Sequence, residues 1–167
     1  MFSVSDSSSL IYLSKIKKIM LLKRLFKKIY IPREVYMETI IEGSKKNEKD
    51  VFLIEECVKD NFIEIKDVKN NLNIKNLHLG ETKAISLCQE LKIKNILIDD
   101  KDGYNTAEIL GLNPLRTTSI LLILLDKKII TLSEYENSLS ELINNEFFIE
   151  DKIYDFLIRV GRNKIKD

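Results

Sequence analysis

Short apolar runs rich in β-branched residues alternate along the chain with longer segments whose apolar residues recur at helical spacing. The run N-I-L-I at 95–98 is typical of a buried strand, whereas Leu10, Leu13 and Ile16 fall on one face of a helix. Strands that alternate with helices form parallel sheets covered on both faces. The sequence therefore predicts an α/β fold of three layers, α/β/α, with a central, mainly parallel sheet.

The same pattern gives approximate bounds for each element. Ser133 is expected to cap the helix at 131–144, with Glu136 in the capping-box position. Strands are predicted at 1–5, 29–31, 62–65, 95–98, 112–115 and 147–149, and the main helices at 7–19, 33–41, 51–58, 82–91, 104–110, 120–127, 131–144 and 151–160.

Composition excludes some classes of protein. The 27 Lys and Arg residues nearly balance the 26 Asp and Glu, so net charge gives no sign of nucleic-acid or membrane binding. No basic leader with an apolar core is visible, and the longest apolar run, 120–125, is too short to cross a bilayer. Cys57 and Cys88 lie in apolar helical segments without a CxxC motif, as expected of buried thiols in a reducing compartment. We therefore expect a cytoplasmic protein with no membrane contact.

The stretch I-L-I-D-D-K-D-G at 96–103 contains the first candidate chemistry. Asp99, Asp100 and Asp102 directly follow an apolar strand, and carboxylates are costly to bury without a partner. The carboxyl ends of strands are where open α/β sheets bind ligands, and a hard cation would favour such crowding. The alternative is an acidic turn in which Asp102 bonds to its own backbone.

Three further acids stand out by position. Asp6 follows the first strand and is equally placed to cap a helix. Glu38 lies within the helix at 33–41, where a solvated role is the ordinary one. Glu81 lies in the first turn of the helix that follows Gly80, where the helix dipole favours an acid. His78, the one histidine, has no second donor at ligand spacing.

Taken in order, these segments resemble the PIN-domain family of small nucleases. The resemblance covers about residues 1–135, and residues 136–167 are expected to form a strand and helix extension of the same domain. It rests on V-S-D-S-S-S-L-I-Y-L at the start, I-P-R-E-V-Y-M-E at 31–38, L-H-L-G-E-T-K-A-I-S-L at 77–87, I-L-I-D-D-K-D-G at 96–103 and R-T-T-S-I-L-L-I-L-L at 116–125.

The resemblance implies particular roles for these side chains. Catalytic roles fall to Asp6, Glu38, Glu81 and Asp100; Glu81 stands where the wider family usually has Asp. Such a group implies Mg²⁺ or Mn²⁺, because crowded carboxylates raise each other's pKa unless a cation neutralises them. The implied metal ligands are Asp6, Glu81, Asp99, Asp100 and Asp102, and the implied substrate-lining residues are Ser7 (or Ser8), Thr117 and Arg116.

The implied activity is metal-dependent hydrolysis of RNA phosphodiesters. Many relatives are the toxin of a toxin–antitoxin pair, which implies a small antitoxin protein as partner. They are commonly dimers, and the helix at 120–125 or the last helix could supply an apolar homodimer interface. Contacts to RNA could come from Lys15, Lys17, Lys18, Arg116 and the Lys-rich segment 42–50.

Two other interpretations stay open from the sequence. A catalytically inactive PIN-like module could bind RNA or protein through the same fold, although its acid set would usually be incomplete. A phosphoryl-accepting regulatory domain would require a lysine after a later strand, and Lys101 and Lys127 do not fit that order.

Overall fold

The computed structural model describes residues 1–45, 50–70 and 72–164, and it is built around a five-stranded parallel sheet. Every pairing between neighbouring strands is parallel, which confirms the predicted α/β class. The strands are β1 (Phe2–Ser5), β2 (Lys28–Pro32), β3 (Ile63–Lys66), β4 (Asn95–Leu97) and β5 (Asn113–Leu115), and they lie side by side in the order β3-β2-β1-β4-β5.

The direction in which strands are added reverses between β1 and β4. From β1 the chain adds β2 and β3 on one side, then returns to place β4 on the other side of β1, followed by β5. Val4 pairs with Ile96, and Ser5 pairs with Leu97. In open α/β sheets, ligands bind outside the carboxyl ends of the strands at such a reversal. The loops after β1 and β4 are therefore the expected location of a site.

Helices flank this sheet in the predicted three-layer arrangement. Helix α4 (Leu79–Leu91) contacts β1, β2 and β4, while α1 (Ser7–Lys15) and α3 (Asp50–Lys59) contact each other. No helix in the described ranges is long and apolar enough to cross a membrane. The helices that accompany the sheet are α1 (Ser7–Lys15), a short 3₁₀ helix (Ile19–Arg24), α2 (Arg33–Lys45), α3 (Asp50–Lys59), α4 (Leu79–Leu91) and α5 (Lys101–Ile109).

The core on one face of the sheet holds β1 and β4 in register. Val4, Ile96 and Ile98 are completely buried, and they form one apolar cluster with Ala84 and Cys88 of α4. Because side chains alternate between the two faces of a strand, a slip by one residue would move this whole set to the other face of the sheet, away from α4. Packing on α4 therefore fixes the register of β1 and β4, and with it which residues are neighbours at the carboxyl ends of the two strands.

The chain divides into two compact units, Met1–Thr117 and Thr118–Asp167. The second contains all but the first residue of α6 (Thr117–Asp126), together with α7 (Leu132–Asn144) and α8 (Asp151–Asn163). Within it α7 contacts α8, and the completely buried Tyr135 donates a hydrogen bond from its hydroxyl to the Leu157 carbonyl at 3.1 Å. The sequence-based division at 135 and 136 stays a prediction.

The predicted strand at 147–149 is wrong. These residues have no regular secondary structure and connect α7 directly to α8. At the end of α7, Glu146 takes a left-handed conformation with φ 66°, and the Phe147 amide donates to the Leu142 carbonyl at 3.0 Å. Strand preference depends on pairing with a neighbour, and this turn brings Phe147 back to α7 instead.

The predicted cap of α7 is also wrong by two residues. Thr131, not Ser133, is the N-cap, and Glu134 completes the capping box by accepting from the Thr131 amide at 2.7 Å. The segment T-L-S-E-Y-E contains two overlapping matches to the capping-box pattern. The hydrophobic pattern alone did not separate them.

Replacing Gly161 by alanine is expected to destabilise the second unit by about 1–3 kcal/mol. A Cβ at this position of α8 would stand 2.5 Å from Cε1 of Tyr135, whose ring is completely buried. Urea denaturation followed by circular dichroism measures the change. Arg159→Ala at an exposed position of the same helix is the control, and equal stability of the two variants would contradict this packing.

Candidate active site

Asp6 is a nearly buried carboxylate at the carboxyl end of β1. Its side chain is 2% exposed, and its amide donates to the Leu97 carbonyl of β4 at 3.0 Å. Oδ1 accepts from the Ser9 amide at 2.9 Å, and Oδ2 accepts from the Ser8 hydroxyl at 2.7 Å. Asp6 is therefore the N-cap of α1 as well as an acid at the point where strand order reverses.

Asp99 stands beside Asp6 at the end of β4. Its Oδ1 accepts from the Thr117 amide at 2.7 Å, and its Oδ2 accepts from the Thr117 hydroxyl at 2.6 Å. The Ser9 hydroxyl donates to the same Oδ2 at 3.0 Å. Ser9 thus bonds to both carboxylates, one through its amide and the other through its side chain.

Glu38 extends the site from α2. The Ser7 hydroxyl, next to Asp6, donates to Glu38 Oε2 at 2.9 Å. A Cβ on Gly80 would stand 2.5 Å from that same oxygen. Gly80 therefore leaves the space that the Glu38 carboxylate occupies, a requirement of close approach that the sequence does not reveal.

Glu81 and Asp100 lie at helix starts near Glu38. Glu81 accepts from the His78 amide at 3.1 Å, in the first turn of α4. Asp100 is the N-cap of α5 and accepts from the Gly103 amide at 2.8 Å. Asp102 is exposed in the first turn of α5. Each of these acids thus has an ordinary capping or surface role, and any role in catalysis or metal binding stays a prediction.

The acids shift one another's protonation. Burial and, to a lesser degree, the charge of Asp99 together raise the pKa of Asp6 to about 7, against hydrogen bonds from Ser9 and Ser8 that lower it. Burial also raises the pKa of Asp99, opposed by hydrogen bonds from Thr117 and Ser9. The pKa of Glu81 is raised by burial and by the carboxylates of Asp100 and Glu38. Negative charge is therefore in excess at this edge of the sheet.

The predicted ligands do not gather into one complete metal site. Within the described ranges, no three His, Cys, Asp or Glu side chains are close enough together to hold an ion. Mg²⁺, however, is commonly held by only one or two carboxylates, with water and substrate phosphate completing its shell. A carboxylate has about four lone pairs. Asp6 accepts hydrogen bonds from Ser8 and Ser9, and Asp99 accepts from Thr117 and Ser9, so each keeps an acceptor site beyond these bonds. This oxygen-only pair, with Asp6 buried and Asp99 partly exposed, therefore fits Mg²⁺ or Mn²⁺.

Two predicted substrate-lining residues lie beside Asp99. Thr117 is completely buried and holds the carboxylate through two bonds. Arg116 precedes it, and its guanidinium lies over the Tyr104 ring, 4.9 Å from Cζ to the ring centroid. The structure therefore places Arg116 at the acidic edge, with Tyr104 as a neighbour that the sequence did not indicate.

Other predicted RNA contacts lie elsewhere or cannot be placed. Lys15 ends α1, about 12 Å along the helix from the end that carries the acids, and Lys17 and Lys18 lie beyond it. The side chains of the Lys-rich segment 42–50 lie outside the described residues. The lysines after α1 therefore are not part of the acidic site.

Sequence reasoning missed Ser9 and did not separate Asp99 from Asp100. Three consecutive serines follow Asp6, and their spacing from the cap shows only that Ser9 donates its amide. That its hydroxyl reaches Asp99, 90 residues away, depends on β1 lying next to β4. No pattern within either segment carries this information.

Thr117→Val is expected to destabilise the protein by roughly 1.5–3 kcal/mol, because Asp99 loses a charge-assisted hydrogen bond while side-chain shape is kept. Thr117→Ser retains the hydroxyl and serves as the control. Urea denaturation of both variants measures the difference. Equal costs for serine and valine would mean that the methyl group contributes as much as the hydroxyl, and an unchanged stability of Thr117→Val would contradict the role given to the hydrogen bond.

Comparison with known proteins identifies the family. A family model described as "DUF3368: PIN domain" matches residues 2–162. The chain belongs to the PIN domain family. PIN domains are generally nucleases, so the resemblance drawn from the sequence is confirmed at this level. The match also extends beyond residue 135, where the sequence resemblance ended.

A solved structure has a similar fold. The chain is similar to a PilT N-terminus domain protein, SSO1118, from the hyperthermophilic archaeon Sulfolobus solfataricus P2, with a TM-score of 0.52 and 22% identity over 70% of this chain and 87% of that chain. At this identity the likeness shows the shared fold alone. The comparison with curated proteins found no match.

Proposed function

We propose that this PIN domain is an endoribonuclease that hydrolyses RNA phosphodiesters and depends on Mg²⁺ or Mn²⁺. The observation that carries the proposal is the pair Asp6 and Asp99, brought together from adjacent strand ends with raised pKa values. Holding such a pair together without a cation is costly, and proteins accept this cost mainly at functional sites.

Different residues at this edge would have different roles in catalysis. Asp6 and Asp99 would hold a divalent cation, and Ser8, Ser9 and Thr117 orient their carboxylates. Glu38, Glu81 and Asp100 would form the opposite wall, where an ionised carboxylate can accept a proton from water. When bound, the cation would supply charge neutralisation of the phosphate and a more acidic water.

A catalytically inactive binding module is the second candidate. It is favoured by one observation: no three acids in the described ranges converge on a common point. Such a module would keep the fold and bind RNA or protein without hydrolysis.

Cleavage of single-stranded RNA separates the two candidates. The wild type is expected to cut in Mn²⁺ or Mg²⁺ and not in EDTA. Glu38→Gln and Asp99→Asn should lower the rate by roughly 10²–10³ if these acids act at the reacting phosphate. Asp60→Asn is the matched control, because Asp60 is exposed beside the amino ends of the strands and pairs with Lys23. Binding of RNA without cleavage in either metal would favour the inactive module.

A toxin role, with a small antitoxin as partner and a cytoplasmic location, is the finer form of this proposal. For a homodimer, α8 is the better candidate interface. It exposes Ile153 and Phe156 by 50% and 53%, whereas Ile120, Leu121 and Leu124 of α6 are completely buried. A single-chain mass by light scattering would contradict the dimer.

A further inference from the structure

Arg116 and Tyr104 form a stacked pair at the acidic edge of the sheet. The guanidinium carbon lies 4.9 Å from the centroid of the Tyr104 ring, within the range of a cation–π contact. Both residues are partly exposed, and both belong to the unit Met1–Thr117. The pair is therefore accessible to a ligand at this edge.

Apolar side chains support the ring of Tyr104. It packs against the apolar cluster that contains Ile98 and Ala107, both completely buried. The Tyr104 amide is bonded to the Asp100 carbonyl at 2.9 Å in the first turn of α5. A ring fixed in this way gives Arg116 a rigid surface and limits the orientations of its guanidinium.

The Arg116 guanidinium has N–H donors that can bind a ligand. Among the described residues, the structure gives Arg116 no ion pair and no side-chain hydrogen bond, and its guanidinium lies over the Tyr104 ring. A guanidinium presents its N–H groups as a planar fork that matches two oxygens of a phosphate. Stacking uses the face of that fork and leaves its edge free for such a ligand.

The position of Arg116 in the chain places it beside the reacting edge. It directly precedes Thr117, whose amide and hydroxyl both bond to Asp99. Arg116 opposes the raised pKa of Asp99, but less than the hydrogen bonds from Thr117 and Ser9 do. The two charges therefore interact, which agrees with a position of the Arg116 guanidinium at the acidic edge.

We propose that Arg116 binds a backbone phosphate of the RNA next to the acidic site, and that Tyr104 is a positioning residue that holds the guanidinium in place. The assignment rests on the proposed function in taking RNA as the ligand. It supplies what the overall charge of +1 does not: a local cation that offsets repulsion between the acids and the substrate.

RNA binding without divalent metal tests the pair independently of cleavage. The probe is a fluorescein-labelled single-stranded RNA of mixed sequence, titrated in EDTA over a series of KCl concentrations and followed by anisotropy. Losing one phosphate contact should make the slope of log affinity against log salt shallower by about 0.7. We expect this for Arg116→Ala and for Arg116→Gln, which keeps a planar group over the ring.

Two more variants separate charge from orientation. Arg116→Lys should keep the wild-type slope but bind more weakly, because it lacks the fork. Tyr104→Leu should weaken binding about two- to fivefold with the slope unchanged. Arg24→Ala is the matched control. Arg24 is an exposed arginine that lines a cavity with Met1, Lys27 and Phe62 at the amino ends of the strands. The salt dependence of RNA binding by Arg24→Ala should therefore equal that of the wild type.

The outcomes distinguish this inference from the proposed nuclease activity. A wild-type slope in both Arg116→Ala and Arg116→Gln, with RNA still bound, would overturn the phosphate contact and leave the nuclease proposal standing. A shallower slope in Arg24→Ala alone would move the contact to the amino ends of the strands. A shallower slope in the Arg116 variants of a protein that never cleaves RNA would support the contact within an inactive module. No binding of RNA by the wild type in EDTA would overturn the phosphate contact, whereas the nuclease proposal is decided by the cleavage assay with Mn²⁺ or Mg²⁺.

Discussion

Asp6→Asn is expected to make the metal-free protein more stable at pH 8 while abolishing cleavage of RNA. Asp6 is 2% exposed, and its pKa of about 7 means that the folded protein must carry a buried charge at this pH. The cost is at most about 4 kcal/mol. Asparagine keeps an oxygen that can accept from the Ser9 amide, so the cap of α1 is retained.

Thermal denaturation in EDTA at pH 8 measures this gain. For a chain of this size each kcal/mol corresponds to roughly 2–4 °C in Tm. Addition of Mn²⁺ should raise the Tm of the wild type and leave Asp6→Asn nearly unchanged, because the variant lacks a ligand. Asp60→Asn should respond to Mn²⁺ as the wild type does. A lower Tm for Asp6→Asn in EDTA would mean that Asp6 is a structural cap with no excess charge.

The stability of the metal-free wild type is expected to fall as pH rises from about 4 to about 7. In this window the folded protein holds a proton on Asp6 that the unfolded chain has already released at its pKa of 3.8. The folded state therefore binds more protons, so the free energy of unfolding decreases with increasing pH. The raised pKa values of Asp99 and Glu81 act in the same direction. Above about pH 7 the contribution of Asp6 becomes constant.

Urea denaturation in EDTA at a series of pH values measures how the free energy of unfolding changes with pH. Asp6→Asn should remove the contribution of Asp6 to this pH dependence, which is up to about 4 kcal/mol in the free energy of unfolding between about pH 4 and about pH 7. Exposed Asp67 has a pKa lowered by Arg33, so its effect is confined to lower pH and has the opposite sign. A slope that is the same in the wild type and in Asp6→Asn would contradict a raised pKa for Asp6.

The acidic edge shows where sequence patterns were sufficient. Asp6 and the acids at 99 and 100 each follow an apolar strand, and the cost of burying a carboxylate inside the strand places such acids at its end. Alternation of strands with helices made the sheet parallel, so these rims fall on one edge. The sequence therefore predicted the class of fold and the general place of the acids.

Sequence patterns were not sufficient to decide whether Asp99 or Asp100 lies next to Asp6. Both follow β4, and the resemblance favoured Asp100. In the structure Asp99 bonds to Ser9 and Thr117, while Asp100 caps α5. Neighbouring residues at a strand end point in different directions, and which one meets Asp6 depends on the register of β4 against β1.

By itself the sequence determined the order of the five strands and of the helices, apart from the strand wrongly predicted at 147–149, and it placed Asp6, Glu81, Asp99 and Asp100 at the ends of elements. These features follow from local spacing and from the cost of burying charge. Tertiary structure alone decided which acids meet, that Ser9 joins two of them, that Gly80 makes room for Glu38 and that Tyr104 supports Arg116. These contacts join residues up to 90 positions apart. Only the packing that fixes the register of β1 and β4, and of the helices against them, brings such residues together.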